Sequence, residues 1–173
     1  DGAKALSKNP ADKVMDLLMS AGPKIIKSMG QMNITDSQYQ EIKTFVDELA
    51  ADQKTPYDIY RTIFTWITQN IQYAYDYVDN DPYPVFTKKT AVCQGYSNLL
   101  FVMLHSQDVP ILVTNGFLSL PNLYGGHAWN YVNCDGKWYV SDPTNNGVYD
   151  MSNTSSYSHL FPQSFDVLLF EKD

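Results

Sequence analysis

Cysteine is scarce in this chain, with two residues, Cys93 and Cys134, in 173. One pair cannot supply the disulfide framework of a small secreted scaffold. At this length folding buries roughly 70% of the surface that the unfolded chain exposes, so a core forms without staples. Histidine is scarcer than metal chemistry requires, since His105 and His159 have no partners at ligand spacing. Positive charge is also short: twelve Lys and Arg stand against nineteen Asp and Glu, for a net charge of −7. That sign is opposite to what a phosphate-tracking surface needs, so nucleic acid is not an expected partner. No apolar run approaches the roughly 18 residues of a membrane span, and membrane insertion is not expected. A Gly-rich phosphate loop is missing. Asp76, Asp79 and Asp81 lack the EF-hand spacing and its closing glutamate, and they read as a solvated acidic loop. Neither a metal nor a cofactor is therefore expected.

What is present is 44% apolar and 14% aromatic residues, the composition of one globular domain with an added helical piece. Residues 1–54 are polar with helical punctuation and carry no β-branched run, so they read as an N-terminal helical segment packed on a core formed by residues 55–173. Val14, Leu17 and Leu18 fit a short helix that Gly22-Pro23 interrupts. Ile42, Phe45, Val46 and Leu49 fall at i, i+3, i+4 and i+7, with Thr35, Asp36 and Ser37 as candidate caps. Thr55-Pro56 is a cap followed by a proline at the first helical position, and Tyr60, Ile63, Phe64 and Ile67 carry that helix to about Asn70. Residues 72–90, with Pro82 and Pro84, read as a long surface loop.

The run from Leu99 to Leu104 is apolar on all sides, as a central core helix would be, and Pro110 ends the segment. Residues 111–118, 127–133 and 137–141 are rich in Val, Ile, Tyr and Trp and read as antiparallel strands, with Asp135-Gly136 as a hairpin turn. A further strand is expected near Val167 to Phe170. Helices first and sheet second make an α+β fold, with the cysteine-bearing helix packed on an antiparallel sheet.

Cys93 precedes the apolar helix. A thiol at a helix N-terminus is exposed to unpaired N–H groups and the positive end of the dipole, which favour the thiolate. Such a nucleophile needs a base, and the base needs an acceptor that fixes its tautomer. His127 and Asp142 flank the Asp135-Gly136 turn. A two-residue turn pairs Cys134 with Lys137 and makes Asp142 a diagonal neighbour of His127 on one face. A four-residue turn sets the two directly opposite, whereas a three-residue turn puts them on opposite faces. Taken singly, Cys93 also reads as a small buried hydrophobe, His127 as a structural histidine beside Trp129, and Asp142 as a turn starter before Pro143. Trp129 and Trp138 read as sheet-packing residues. A disulfide between Cys93 and Cys134 would silence the nucleophile, but Cys134 belongs to the hairpin tip, remote from the helix start.

Three blocks in order, Thr90-Ala91-Val92-Cys93-Gln94-Gly95-Tyr96-Ser97, Gly126-His127-Ala128-Trp129-Asn130, and Asp135-Gly136-Lys137-Trp138-Tyr139-Val140-Ser141-Asp142-Pro143-Thr144, resemble the transglutaminase-like superfamily, in its bacterial branch related to cysteine proteases. The resemblance covers roughly residues 58–146. It implies a papain-like α+β core with Cys93 as nucleophile, His127 as general base and acid, and Asp142 orienting the imidazole. It also implies an oxyanion or substrate-binding role for Tyr73 and Gln94. The chain departs from the family after Thr144, where Asn145-Asn146 replace a frequent tryptophan, which bears on the shape of the cleft wall. The expected activity is hydrolysis of a protein or peptide substrate through a thioester. Transglutamination or deamidation of glutamine is the first alternative, and a non-catalytic surface binding module using the tyrosine-rich loop at 72–83 is the second. The chain starts at Asp1 without an initiator methionine and is expected to be a mature or trimmed form, located outside the cell or on its surface. The sequence leaves the oligomeric state open.

Overall fold

The computed structural model describes residues 32–165. The short helix expected around Val14 to Leu18 and the strand expected near Val167 to Phe170 lie outside the described residues. Helix α1 (Asp36–Leu49) starts at a capping box, in which the Thr35 hydroxyl accepts from the Gln38 N–H and the Gln38 side chain accepts from the Thr35 N–H. Its Tyr39, Ile42 and Val46 are buried, and Phe45 and Leu49 pack at the edge of the core. Helix α2 (Pro56–Asn70) is capped by Thr55, whose hydroxyl accepts from the Asp58 N–H at 3.1 Å, and it buries Tyr60, Ile63, Phe64 and Ile67.

Residues 72–90 depart from the expected loop. They contain β1 (Gln72–Tyr73), helix α3 (Pro82–Lys88) and, at their end, β2 (Thr90–Ala91), with β1 and β2 paired in parallel. The two prolines that argued for a loop sit in the first turn of α3, where a missing N–H forfeits no helical bond and a fixed φ is already helical.

Helix α4 (Cys93–His105) is the centre of the molecule, with every residue from Gly95 to His105 buried. It packs against α1, α2 and α3 on one side and against the sheet on the other. The sheet is antiparallel throughout, in the order β6-β5-β4-β3-β7, where β3 is Ile111–Leu120, β4 Leu123–Cys134, β5 Lys137–Asp142, β6 Gly147–Asp150 and β7 Leu160–Phe165. The architecture is α+β as expected, with the cysteine-bearing helix laid on the sheet. The β3–β4 hairpin runs further than its β-branched core, because Leu120 pairs with Leu123 around a two-residue turn and the strand passes straight through Gly125 and Gly126. One hydrophobic cluster joins residues of α1, the other helices and the sheet, including Ile42, Phe64, Leu100, Val113 and Trp129.

Two contacts fix the start of α4. The Asn80 side-chain oxygen accepts from the Val92 N–H at 3.1 Å, and Asn98 donates to the Asn80 carbonyl at 3.0 Å. Gly95 lets the helix approach this loop closely: a Cβ there would lie 2.5 Å from Asn80 Oδ1 and 2.7 Å from the Ala91 methyl. Gly95→Ala should therefore destabilise the fold by about 1–3 kcal/mol through overpacking, despite the roughly 1 kcal/mol by which alanine favours a helix interior. A shift of the urea midpoint to lower concentration checks this, and an unchanged or raised midpoint contradicts it.

Candidate active site

The N-terminus of α4 and the β4–β5 hairpin meet at Cys93. Asp135 and Gly136 both have positive φ (54° and 85°), the signature of a tight two-residue turn that matches strand twist. Cys134 consequently pairs with Lys137, and Asn130 with Ser141. This register leaves His127 and Asp142 on one face as diagonal neighbours, and His127 Nε2 lies 2.9 Å from Asp142 Oδ2. The remaining ring nitrogen, Nδ1, is left for the sulfur, and the Cys93 thiol is hydrogen-bonded to the His127 ring. Three residues distant in sequence are thus brought into one relay.

The surroundings hold this relay rigid. Asp142 is completely buried and His127 is 8% exposed. Asn145 Nδ2 donates to the same Asp142 oxygen at 3.0 Å and lies 3.5 Å from His127 Nε2. The Trp129 ring stacks on the imidazole with centroids 5.8 Å apart, so it packs in the sheet as expected while also bracing the histidine. Asn130 Nδ2 bridges the Ser97 carbonyl of α4 and the Leu112 carbonyl of β3, each at 3.1 Å, which locks the helix to the sheet beneath the site. Beside Asp142, Ser141 accepts from the buried Tyr60 hydroxyl at 2.6 Å.

Burial alone would raise the Cys93 thiol, but the hydrogen bond and charge of His127, with the N–H groups of Ala128 and Gln94 aimed at the sulfur, outweigh it and the net shift is downward. Burial would likewise depress the His127 pKa, yet hydrogen bonds to Asp142 and Cys93 and their negative charges raise it to about 9. Each shift favours the charged form of its group, the thiolate on Cys93 and the imidazolium on His127. Cys134 is in the opposite situation: burial, aided by Asp135, pushes it up to about 12. Both cysteines are unbridged.

A cleft of about 540 Å³ opens over Cys93 and His127 and is lined by Tyr73, Tyr75, Leu118, Leu123, Gly125, Gly126, Thr144 and Asn145. Tyr73 thus reaches the cleft wall. The Gln94 side chain does not; its amide donates to Asn98 at 2.9 Å, and only its backbone N–H serves the sulfur. Asn80, Asn130 and Asn145 were not singled out as site residues by the sequence. Asn80 has no local signal, because its partners follow 12 and 18 residues later, whereas Asn145 marks the very point where the chain leaves its family's pattern. Among the described residues no group of three or more His, Cys, Asp and Glu side chains could hold a metal ion, and no helix is long and apolar enough to cross a membrane.

Residues 43–143 match the sequence profile of the transglutaminase-like superfamily core. The chain belongs to the transglutaminase-like superfamily. Solved structures share its fold. A candidate cysteine protease from Cytophaga hutchinsonii superposes with a TM-score of 0.57 at 16% identity, over 70% of this chain and 45% of that one. A candidate protease from Parabacteroides distasonis gives 0.54 at 16% identity, over 82% and 28%. The periplasmic domain of TgpA from Pseudomonas aeruginosa gives 0.50 at 16% identity, over 74% and 49%. This chain therefore spans less than half the length of each of these structures. Among proteins of curated function, none matches it.

The charge state of the relay is open to direct test. Iodoacetamide should label Cys93 readily at neutral pH while Cys134 stays unmodified. In His127→Ala the inflection of the Cys93 rate-against-pH curve should move up to or beyond the ordinary thiol value of about 8.5. Mass spectrometry of the labelled peptides reads both. An inflection that stays in place in the variant would show that the imidazole does not govern the thiol.

Proposed function

We propose that the chain is a cysteine-dependent acyl-transfer enzyme that hydrolyses peptide bonds in a protein or peptide substrate. The observation that carries this reading is the buried relay of Cys93, His127 and Asp142 opening onto a cleft. In it the Cys93 thiolate attacks the scissile carbonyl carbon, and the carbonyl electrons move onto oxygen. Cys93's own N–H, at the first helical position, has no acceptor within the helix and is available to that oxyanion; the Tyr73 hydroxyl is the proposed second donor. As the intermediate collapses, the C–N bond breaks and the imidazolium of His127 gives its proton to the leaving amine. A thioester remains. Neutral His127 then takes a proton from water, hydroxide adds to the thioester, and the thiolate departs with the free carboxylate released.

Asp142 keeps the proton of His127 on Nε2, so that Nδ1 faces the sulfur, and it stabilises the imidazolium. Asn145 supports that geometry by holding the same carboxylate oxygen. An extracellular or cell-surface location is proposed along with this function, in keeping with the periplasmic setting of the TgpA domain.

Incubation with a mixed peptide library, with and without a primary amine, tests the reaction. New free carboxyl termini are expected, lost in Cys93→Ala. Asp142→Asn should lower kcat by about 10⁴-fold with the fold retained by circular dichroism. An isopeptide product with no hydrolysis would replace the peptidase reading with a transglutaminase one. No turnover together with an ordinary thiol at Cys93 would favour a binding module.

A further inference from the structure

Strand β4 is longer than its neighbour β5. Residues Leu123–Val132 of β4 pair with β3, but only Asn130–Cys134 pair with β5. From Leu123 to Trp129 the β5-side edge therefore has no strand partner among the described residues, and this open edge runs into the cleft at His127. Its polarity can be read from Ala128, whose N–H points at the Cys93 sulfur. Backbone groups alternate in direction along a strand, so Gly126, two residues earlier, turns its N–H and C=O to the same side as the reacting atom. At Gly125 and Gly126 a Cβ would meet nothing within 4 Å, so bare backbone faces open space there. Beside this edge the cleft presents Leu118, Leu123, Tyr73 and Tyr75, and apart from the Cys93–His127 pair itself none of its lining residues is charged, although the chain carries −7.

We infer that the cleft takes an extended peptide segment, added as a short strand along the open edge of β4 at Gly126, with a large uncharged apolar or aromatic side chain seated among Tyr73, Leu118 and Leu123. Main-chain hydrogen bonds to Gly126 supply sequence-independent affinity, and the pocket beside it supplies selectivity, which is the division of labour found wherever peptides extend sheets. A charged side chain would be stripped of water in that pocket without a partner, so acidic and basic residues are disfavoured there. This inference deepens the proposed function and rests on it.

The test uses dipeptidyl chloromethyl ketones in which Phe, Leu, Gln, Glu or Lys occupies each of the two positions in turn, with the rate of Cys93 alkylation followed by intact mass. Iodoacetamide, which needs only the thiolate, serves as the reference on the unaltered protein. At one of the two positions Phe and Leu probes should react at least about tenfold faster than Glu, Lys and Gln probes. Leu123→Glu, a substitution on the exposed rim, should pull the Phe-to-Lys ratio toward one. Gly126→Val, whose side chain projects into open space, should slow every peptidyl probe. Equal rates for all probes, or a preference for Glu, Lys or Gln, would overturn the inference while leaving the nucleophile intact. Iodoacetamide labelling of Cys93 no faster than an ordinary thiol would remove the nucleophile reading and this inference with it.

Discussion

A carboxylate with no exposure to solvent faces an imidazole across a hairpin, and most of what distinguishes this molecule follows from keeping those two groups together. The bond from His127 to Asp142 depends on the strand register. A slip of one residue would turn Asp142 to the opposite face and leave a buried histidine without its acceptor. The register is held by the two positive-φ residues of the Asp135-Gly136 turn. Burying such a pair costs desolvation that its mutual attraction offsets only when geometry is good. Asn145 on the shared oxygen and Trp129 against the ring supply that geometry.

The second requirement is that the sulfur meet the imidazole at the right place, and here the core does the positioning. Helix α4 is buried from Gly95 to His105, with an all-apolar run from Leu99 to Leu104, and it is gripped by helices on one side and the sheet on the other. Asn130 stitches it to β3, and Asn80 holds the residue just before Cys93. Each tether is short and buried or half-buried, which favours a preformed thiol over one assembled by substrate. The lowered thiol pKa and the raised imidazole pKa share the Cys93–His127 contact, with Asp142 the larger cause on the imidazole side and the Ala128 and Gln94 N–H groups adding on the thiol side.

Much of this was legible in the sequence for physical reasons that can be named. The amphipathic spacing of α1 and α2 and their caps announce themselves, as do the all-apolar run of α4 and the Asp135-Gly136 turn. From that turn, register arithmetic places His127 beside Asp142 for a two- or four-residue loop, and the structure has the two-residue one. The region from 72 to 90 misled, because Pro82 and Pro84 read as breakers when they open a helix instead. Gly125 and Gly126 fall outside the expected strands at 111–118 and 127–133, yet they lie in a strand whose edge faces the cleft. Strand β6, with four residues, has no pattern of its own and forms because the edge of β5 offers a ladder. Asn80 and Asn130 act through contacts with segments far along the chain, and no local signal marks them.

The proposed relay requires that Cys93 and His127 form an ion pair in the resting protein. Isotope-edited NMR of the imidazole nitrogens tests this most directly. On this account both ring nitrogens of His127 carry protons through neutral pH, the imidazolium persists to about pH 9, and replacing Cys93 by serine lowers that limit. A ring that is singly protonated at neutral pH, titrating near the ordinary histidine value of about 6.5 and indifferent to the serine replacement, would contradict it.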